Sequence, residues 1–206
     1  MPYSHHSHSG QFCKHATGTL EEVVQEAIHQ GFEVYGLTEH VPRYRREDLY
    51  PEEFDAFVAE ARRVQAAYTS QIQLLVGLET DLITERDLVG LSDILERHGD
   101  GIDYLVGSVH HVHGIPIDFD RETFQRCLAS IPNSADMSDE DRTGVFLEMY
   151  FDAQYEVMQR FKPEIVGHID LCRLYTPTLD LRAYAAAWSK LTRNVELPRH
   201  TARCSK

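Results

Sequence analysis

Apolar positions along this chain alternate between two periods. Leu20, Val23, Val24, Ala27 and Ile28 recur at the three- and four-residue spacing that places them on one face of a helix. Thr19 with Glu22 makes the pattern that caps such a helix, and Gly31 stops it, so a helix is predicted over about residues 20–30. Glu33 to Thr38 (EVYGLT) reads as a short buried strand. Residues 51–68 are helical, with Phe54, Phe57, Val58, Ala61 and Val64 as the apolar stripe. Ile72 to Leu78 (IQLLVGL) is a strand by its β-branched content and short length. A helix over 87–97 and a strand over 103–109 (DYLVGSV) follow. Residues 130–142 (SIPNSADMSDEDR) are polar, carry turn signals and read as an exposed loop. A helix over 145–161 is ended by Pro163, a short strand covers 164–167 (EIVG), and a last helix covers 183–191. No internal repeat is present. Strands alternating with helices imply an α/β fold with a parallel sheet, either open or closed into a barrel.

Composition narrows the class. The chain has 206 residues, 42% hydrophobic and 26% charged, as expected of one globular domain with a real core. No apolar run approaches the roughly 18 residues of a membrane span. The N-terminus, MPYSHHSHSG, has neither the basic nor the apolar region of a secretory signal, which points to a cytoplasmic protein without membrane association. The net charge of −13 argues against binding nucleic acid through a broad basic surface. It does not exclude an anionic substrate, because bound divalent cations invert the field locally. Cys13, Cys127, Cys172 and Cys204 form no CxxC pair and read as isolated buried thiols.

The candidate chemistry lies at the strand ends. The second strand runs into Glu39 and His40, the third into Glu79, the fourth into His110 and His111, and the fifth into His168. The N-terminal segment supplies His6 and His8, with His15 shortly after. Sites in α/β folds form at the C-terminal ends of parallel strands, so these distant residues are expected to converge. Two residues apart on an extended segment, His6 and His8 point to one side and can share an ion. Imidazoles with carboxylates suit zinc, manganese or iron. A carboxylate such as Glu79 can bridge two ions, an arrangement suited to hydrolysis at phosphorus.

Plainer readings compete. SHHSHS could be a polar tail or a tag remnant, although a tag leaves the later histidines unexplained. His5, His29, His98 and His200 read as surface or incidental. His111 follows His110 on a strand and so faces away, packing or hydrogen bonding instead. Glu39 is open for the same reason, since it and His40 face opposite sides unless the backbone twists.

Five motifs in order, SHHSHSG, LTEHVPR, VGLETD, GSVHHVHGIPIDFD and VGHIDL, resemble the histidinol phosphatases of the PHP (polymerase and histidinol phosphatase) superfamily. The fourth motif is similar to its form in the fungal enzymes. The resemblance covers about residues 1–180. It implies a distorted (β/α)7 barrel with a divalent metal cluster of up to three ions at its C-terminal mouth. It also implies hydrolysis of L-histidinol phosphate to L-histidinol and phosphate in histidine biosynthesis. Carried onto this chain, the implied ligands are His6, His8, His15, His40, Glu79, His110 and His168. Glu79 is the implied bridge, and catalysis is placed on Glu79 and His110. Arg43, just after the TEH motif, is a candidate phosphate contact, with a solvated surface arginine as the plain alternative.

The family pattern continues into later segments resembling EINTS and SDDAH, which do not occur here. The expectation is therefore a PHP domain over 1–192, incomplete at its C-terminus, followed by a non-family tail over 193–206 without periodicity. An incomplete barrel predicts an open sheet edge, self-association and weakened activity. Besides a phosphatase for a small phosphate ester, the alternatives are a nuclease-like PHP phosphodiesterase, an inactive remnant that still binds metal, and a metallochaperone.

Overall fold

The structure, a computed structural model, describes residues 2–40 and 50–201. These form two compact units, residues 2–40 with 50–80 and 86–106, and residues 81–85 with 107–201.

The first unit is a parallel sheet with helices. Strand β1 (Tyr3–Ser4) precedes helix α1 (Leu20–His29), strand β2 (Val34–His40) and helix α2 (Tyr50–Tyr68). Strand β3 (Gln73–Glu79), helix α3 (Glu85–His98) and strand β4 (Tyr104–Gly107) follow. Helix α1 starts where the capping pattern puts it. The Thr19 hydroxyl accepts from the Glu22 N–H, and the Glu22 carboxylate accepts from the Thr19 N–H at 2.7 Å. The apolar stripes of α1 and α2 bury Leu20, Val24, Phe54, Phe57, Ala61 and Val64, while the sheet buries Leu37, Val76, Leu78 and Val106. β1 pairs with β2, β2 with β3 and β3 with β4, all parallel.

Two features of this sheet position the site. The β2–β3 register sets His40 directly beside Glu79, the last residues of their strands. Gly36 and Gly77 then leave room for Tyr104. A Cβ at Gly36 would meet the Tyr104 hydroxyl and the His5 backbone, and one at Gly77 would lie 2.8 Å from the Tyr104 ring. Lying in that space, Tyr104 donates from its hydroxyl to the His5 carbonyl at 2.6 Å and ties down the segment that leads to His6 and His8.

In the second unit, strands β5 (His111–Val112) and β6 (Ile115–Pro116) form an antiparallel hairpin. Its turn residues, His113 at φ 54° and Gly114 at φ 71°, have the positive φ that a two-residue hairpin loop requires. Helix α4 (Arg121–Ala129), helix α5 (Asp139–Phe161), strand β7 (Ile165–Val166) and helix α6 (Ala185–Thr201) complete it. The Gly167 N–H donates to the Gly107 carbonyl at 3.0 Å. Phe124, Cys127, Phe146, Leu147, Tyr150, Phe151 and Cys172 form its core.

The second unit departs from the periodicity reading in three places. The hairpin and α4 are additional elements. The expected loop over 130–142 holds a helical turn at Ser134–Asp136 and the start of α5 at Asp139. Ser138 caps α5 by accepting from the Asp141 N–H at 3.0 Å, and Asp139, Glu140 and Asp141 favour its positive end. Helix α6 also continues past the expected end at 191 through Thr201. Asn194, fully buried, holds it by donating to the Phe151 carbonyl at 2.7 Å. Among the described residues no helix is long and apolar enough to cross a membrane.

Candidate metal centre

The N-terminal segment reaches the sheet by alternation. β1 ends at Ser4, so His6 and His8 are not strand residues as the spacing suggested. The backbone beyond β1 nevertheless keeps a two-residue repeat against β2. Ser7 lies on Thr38: the Thr38 N–H donates to the Ser7 carbonyl at 3.1 Å, and the Ser7 N–H donates to the Thr38 hydroxyl at 3.0 Å. The Ser7 hydroxyl donates to the Gly36 carbonyl at 2.6 Å. Ser9 is held by Glu39. The intervening His6 and His8 are left to turn towards Glu79.

Their convergence is tight. His6 Nε2, His8 Nε2 and His40 Nδ1 each lie 3.1 Å from Glu79 Oε2. Glu79 itself is fully buried. His6 Nε2 and His8 Nε2 are 3.1 Å apart, and the rings of His8 and His40 stack at 4.4 Å. A neutral imidazole has one N–H, so protons alone poorly satisfy several ring nitrogens crowded on one oxygen. A divalent cation accepts lone pairs from all of them, and nitrogen with carboxylate oxygen is the donor set of zinc, manganese or iron sites. The residues therefore fit a metal.

Glu39 faces the same cluster from behind. Its Oε2 is 3.7 Å from His8 Nδ1, so His8 sits between two carboxylates, with Glu79 at its other nitrogen. Burial favours the neutral ring, but the hydrogen bonds and charges of Glu39 and Glu79 outweigh it and raise His8 to about 9. A carboxylate behind a metal-binding histidine fixes its tautomer and strengthens it as a donor. Glu39 and His40 thus both serve the site from adjacent positions. His15 lies on its other flank, its Nε2 3.2 Å from His40 Nε2 and 3.1 Å from Cys13 Sγ.

The second unit gathers its own set. His110 and His168 are neighbours, with ring centroids 5.0 Å apart. His168 is held at φ 27°, in the left-handed region, and its carbonyl accepts from the Tyr150 hydroxyl at 3.0 Å. Burial pushes the Tyr150 phenol well above its usual range, which keeps it a donor. His111 turns to Asp81, with Nδ1 3.0 Å from Oδ1, and so hydrogen bonds as expected, although it approaches the same oxygen as His110 rather than facing away from it. Asp81 Oδ1 also lies 3.7 Å from His110 Nδ1. Burial opposes ionisation of Asp81, yet the two histidines hold its carboxyl well below the usual range.

The other described histidines have contacts of their own. His29 is exposed beside Glu26, the His98 ring lies tilted against Phe54, and the His5 ring packs edge-on against Tyr3 and Tyr104. His113 occupies the hairpin turn, with Nδ1 3.1 Å from the Ser130 carbonyl. Arg43 and the side chain of His200 lie outside the described residues. Periodicity missed Cys13 and Asp81, although Cys13-x-His15 and Glu79-x-Asp81 repeat the spacing of His6-x-His8.

The chain belongs to the PHP family: the PHP domain model matches residues 4–200. A Schizosaccharomyces pombe protein named "Probable histidinol-phosphatase" is 42% identical over 210 residues, covering 95% of this chain and 65% of the relative. The Saccharomyces cerevisiae histidinol-phosphatase is 33% identical over 85% of this chain and 56% of its own length. This chain therefore spans less than two thirds of either relative. In fold it is similar to the Lactococcus lactis histidinol phosphate phosphatase, whose crystal structure is complexed with zinc, L-histidinol and phosphate. The TM-score is 0.67 at 20% identity, covering 94% of this chain and 68% of that one. The α/β PHP fold expected from the motifs is the fold observed.

Proposed function

We propose that this chain is a metal-dependent phosphomonoesterase that hydrolyses L-histidinol phosphate to L-histidinol and phosphate in histidine biosynthesis, acting in the cytoplasm. The observation that carries this reading is the set of three imidazole nitrogens, each 3.1 Å from one oxygen of buried Glu79. The names of the fungal relatives and the histidinol and phosphate bound by the Lactococcus lactis protein support the substrate. His6, His8, His15, His40 and Glu79 are the proposed ligands in the first unit, and His110 and His168 in the second. The proposed cofactor is a divalent cluster of up to three ions. Arg43 is the proposed phosphate contact.

Divalent cations at such a centre supply an activated water and neutralise charge developing on the phosphoryl oxygens. The chain's own contribution is to fix the donors. Glu79 presents one oxygen to three rings, Glu39 orients His8, and the Ser7–Thr38 pairing sets the register of the HxH segment. Burial of Glu79 and Glu39 keeps water from competing for these donors.

Phosphate release from L-histidinol phosphate, compared with serine phosphate and p-nitrophenyl phosphate in the presence of manganese or zinc, tests the substrate. The reading predicts the highest kcat/KM for L-histidinol phosphate. Equal turnover of all three esters, or none, contradicts it.

A further inference from the structure

The turn between β1 and α1 is built to present Cys13 and His15 together. The Cys13 N–H donates to the Ser9 carbonyl at 2.9 Å, and the Cys13 carbonyl accepts from the Ala16 N–H at 3.1 Å. Gly10 lets the turn close, since a Cβ there would lie 2.9 Å from the Thr17 backbone. The product is a buried thiol aimed at imidazoles. Cys13 Sγ is 3.1 Å from His15 Nε2, which is 3.2 Å from His40 Nε2. Donor atoms of His8, Cys13 and His40 all lie within 4.8 Å of one another. Ligands at about 2.0–2.3 Å from a tetrahedral zinc sit roughly 3.3–3.7 Å apart, close to the spacing here. Cys127 and Cys172, by contrast, are packed in the apolar core of the second unit.

We propose that Cys13 is a thiolate ligand of the cation held by His15 and His40, giving one position of the centre a mixed sulfur and nitrogen shell. The thiol loses its proton to solvent as the metal binds. Sulfur selects zinc over manganese at that position, whereas the imidazoles of His6 and His8 with the Glu79 carboxylate accept either metal. The proposal rests on the metal-centre reading above and adds a ligand that the HxH and TEH motifs do not contain.

Cobalt loading tests it without reference to turnover. The wild-type chain is titrated with cobalt(II), bound cobalt is quantified, and the near-ultraviolet spectrum is recorded beside that of Cys13→Ser. The proposal predicts a sulfur-to-cobalt charge-transfer band in the wild type and its loss in a variant that still binds cobalt at the Glu79 position. X-ray absorption of the zinc-loaded wild type, which needs no variant, is expected to show a sulfur neighbour at about 2.3 Å. Bound metal with no sulfur neighbour, or a band unchanged in Cys13→Ser, overturns the role of Cys13 and leaves the metal centre standing. A folded wild-type chain that binds no metal overturns both.

Discussion

Ser9 gives two hydrogen bonds to a single oxygen of Glu39, its backbone N–H at 2.7 Å and its hydroxyl at 2.6 Å. The other oxygen of the same carboxylate faces His8 Nδ1. One buried side chain thus fixes both the backbone that carries His8 and the ring itself. Glu39→Gln keeps the size but replaces one oxygen by a donor, which conflicts either with Ser9 or with the tautomer of His8. The expected result is a metal affinity weakened by about 10–100-fold with the fold retained. Calorimetric zinc titration beside circular dichroism checks this, and unchanged affinity would show that Glu39 acts only in packing.

Gly36 is the second lever on the same segment. A methyl group there collides with the Tyr104 hydroxyl and the His5 backbone. Gly36→Ala is expected to cost about 1–3 kcal/mol through overpacking and to displace the His6–His8 segment. Urea unfolding measures the first effect and metal titration the second. Tyr104→Phe in the Gly36→Ala background removes the hydroxyl and should restore part of the loss.

The core thiols of the second unit predict a chemical contrast. Burial pushes Cys127 up to about 11 and Cys172 up to about 12, from an ordinary value of 9.0. Their thiols stay protonated and enclosed at neutral pH, so iodoacetamide should modify neither in the native chain and both after unfolding. Because the folded values are raised, their contribution to stability is complete below pH 9 and declines as pH rises towards 11–12. Mass spectrometry of native and unfolded samples gives the first result. Alkylation of native Cys172 at neutral pH would contradict its place in the core.

Asp81 and His111 form a buried pair at 3.0 Å. Removing one partner of such a pair leaves the other without compensation, which typically costs about 3–5 kcal/mol. Asp81→Ala should therefore destabilise the chain by that order, and Asp81→Ala with His111→Leu by less. Denaturant unfolding of the three proteins measures the difference. Equal loss in the single and double variants would show that the pair contributes nothing beyond packing.

The sheet and the centre were legible in the sequence to different depths. Strands such as Gln73–Glu79 were readable because a short, mostly apolar run such as Leu74–Leu78 between helical stripes has few other solutions. Their polar last residues then pointed to the site. Whether Glu39 served the site was not legible. Strand alternation sets it opposite His40, and only the turn of the Ser7–Ser9 segment around it brings His8 to its carboxylate. Helix α4 was hidden by its low hydrophobicity, although Asp120, which accepts from the Thr123 N–H at 2.6 Å, was a readable cap. The hairpin was hidden for a different reason. Its strands are two residues each, too short for periodicity, and His113-Gly114 was its only local signal. Cys13 was read as an isolated buried thiol because the cysteines were weighed only against one another, whereas its signal was the two-residue spacing to His15.

The most direct test of a phosphatase centred on Glu79 is phosphate release from L-histidinol phosphate by the purified chain, measured before chelation, after chelation and after return of manganese or zinc. Folded Glu79→Gln runs alongside. The prediction is turnover that disappears with the metal, returns with it, and is absent from Glu79→Gln under all three conditions. Turnover that survives chelation, or that Glu79→Gln retains in full, would contradict it.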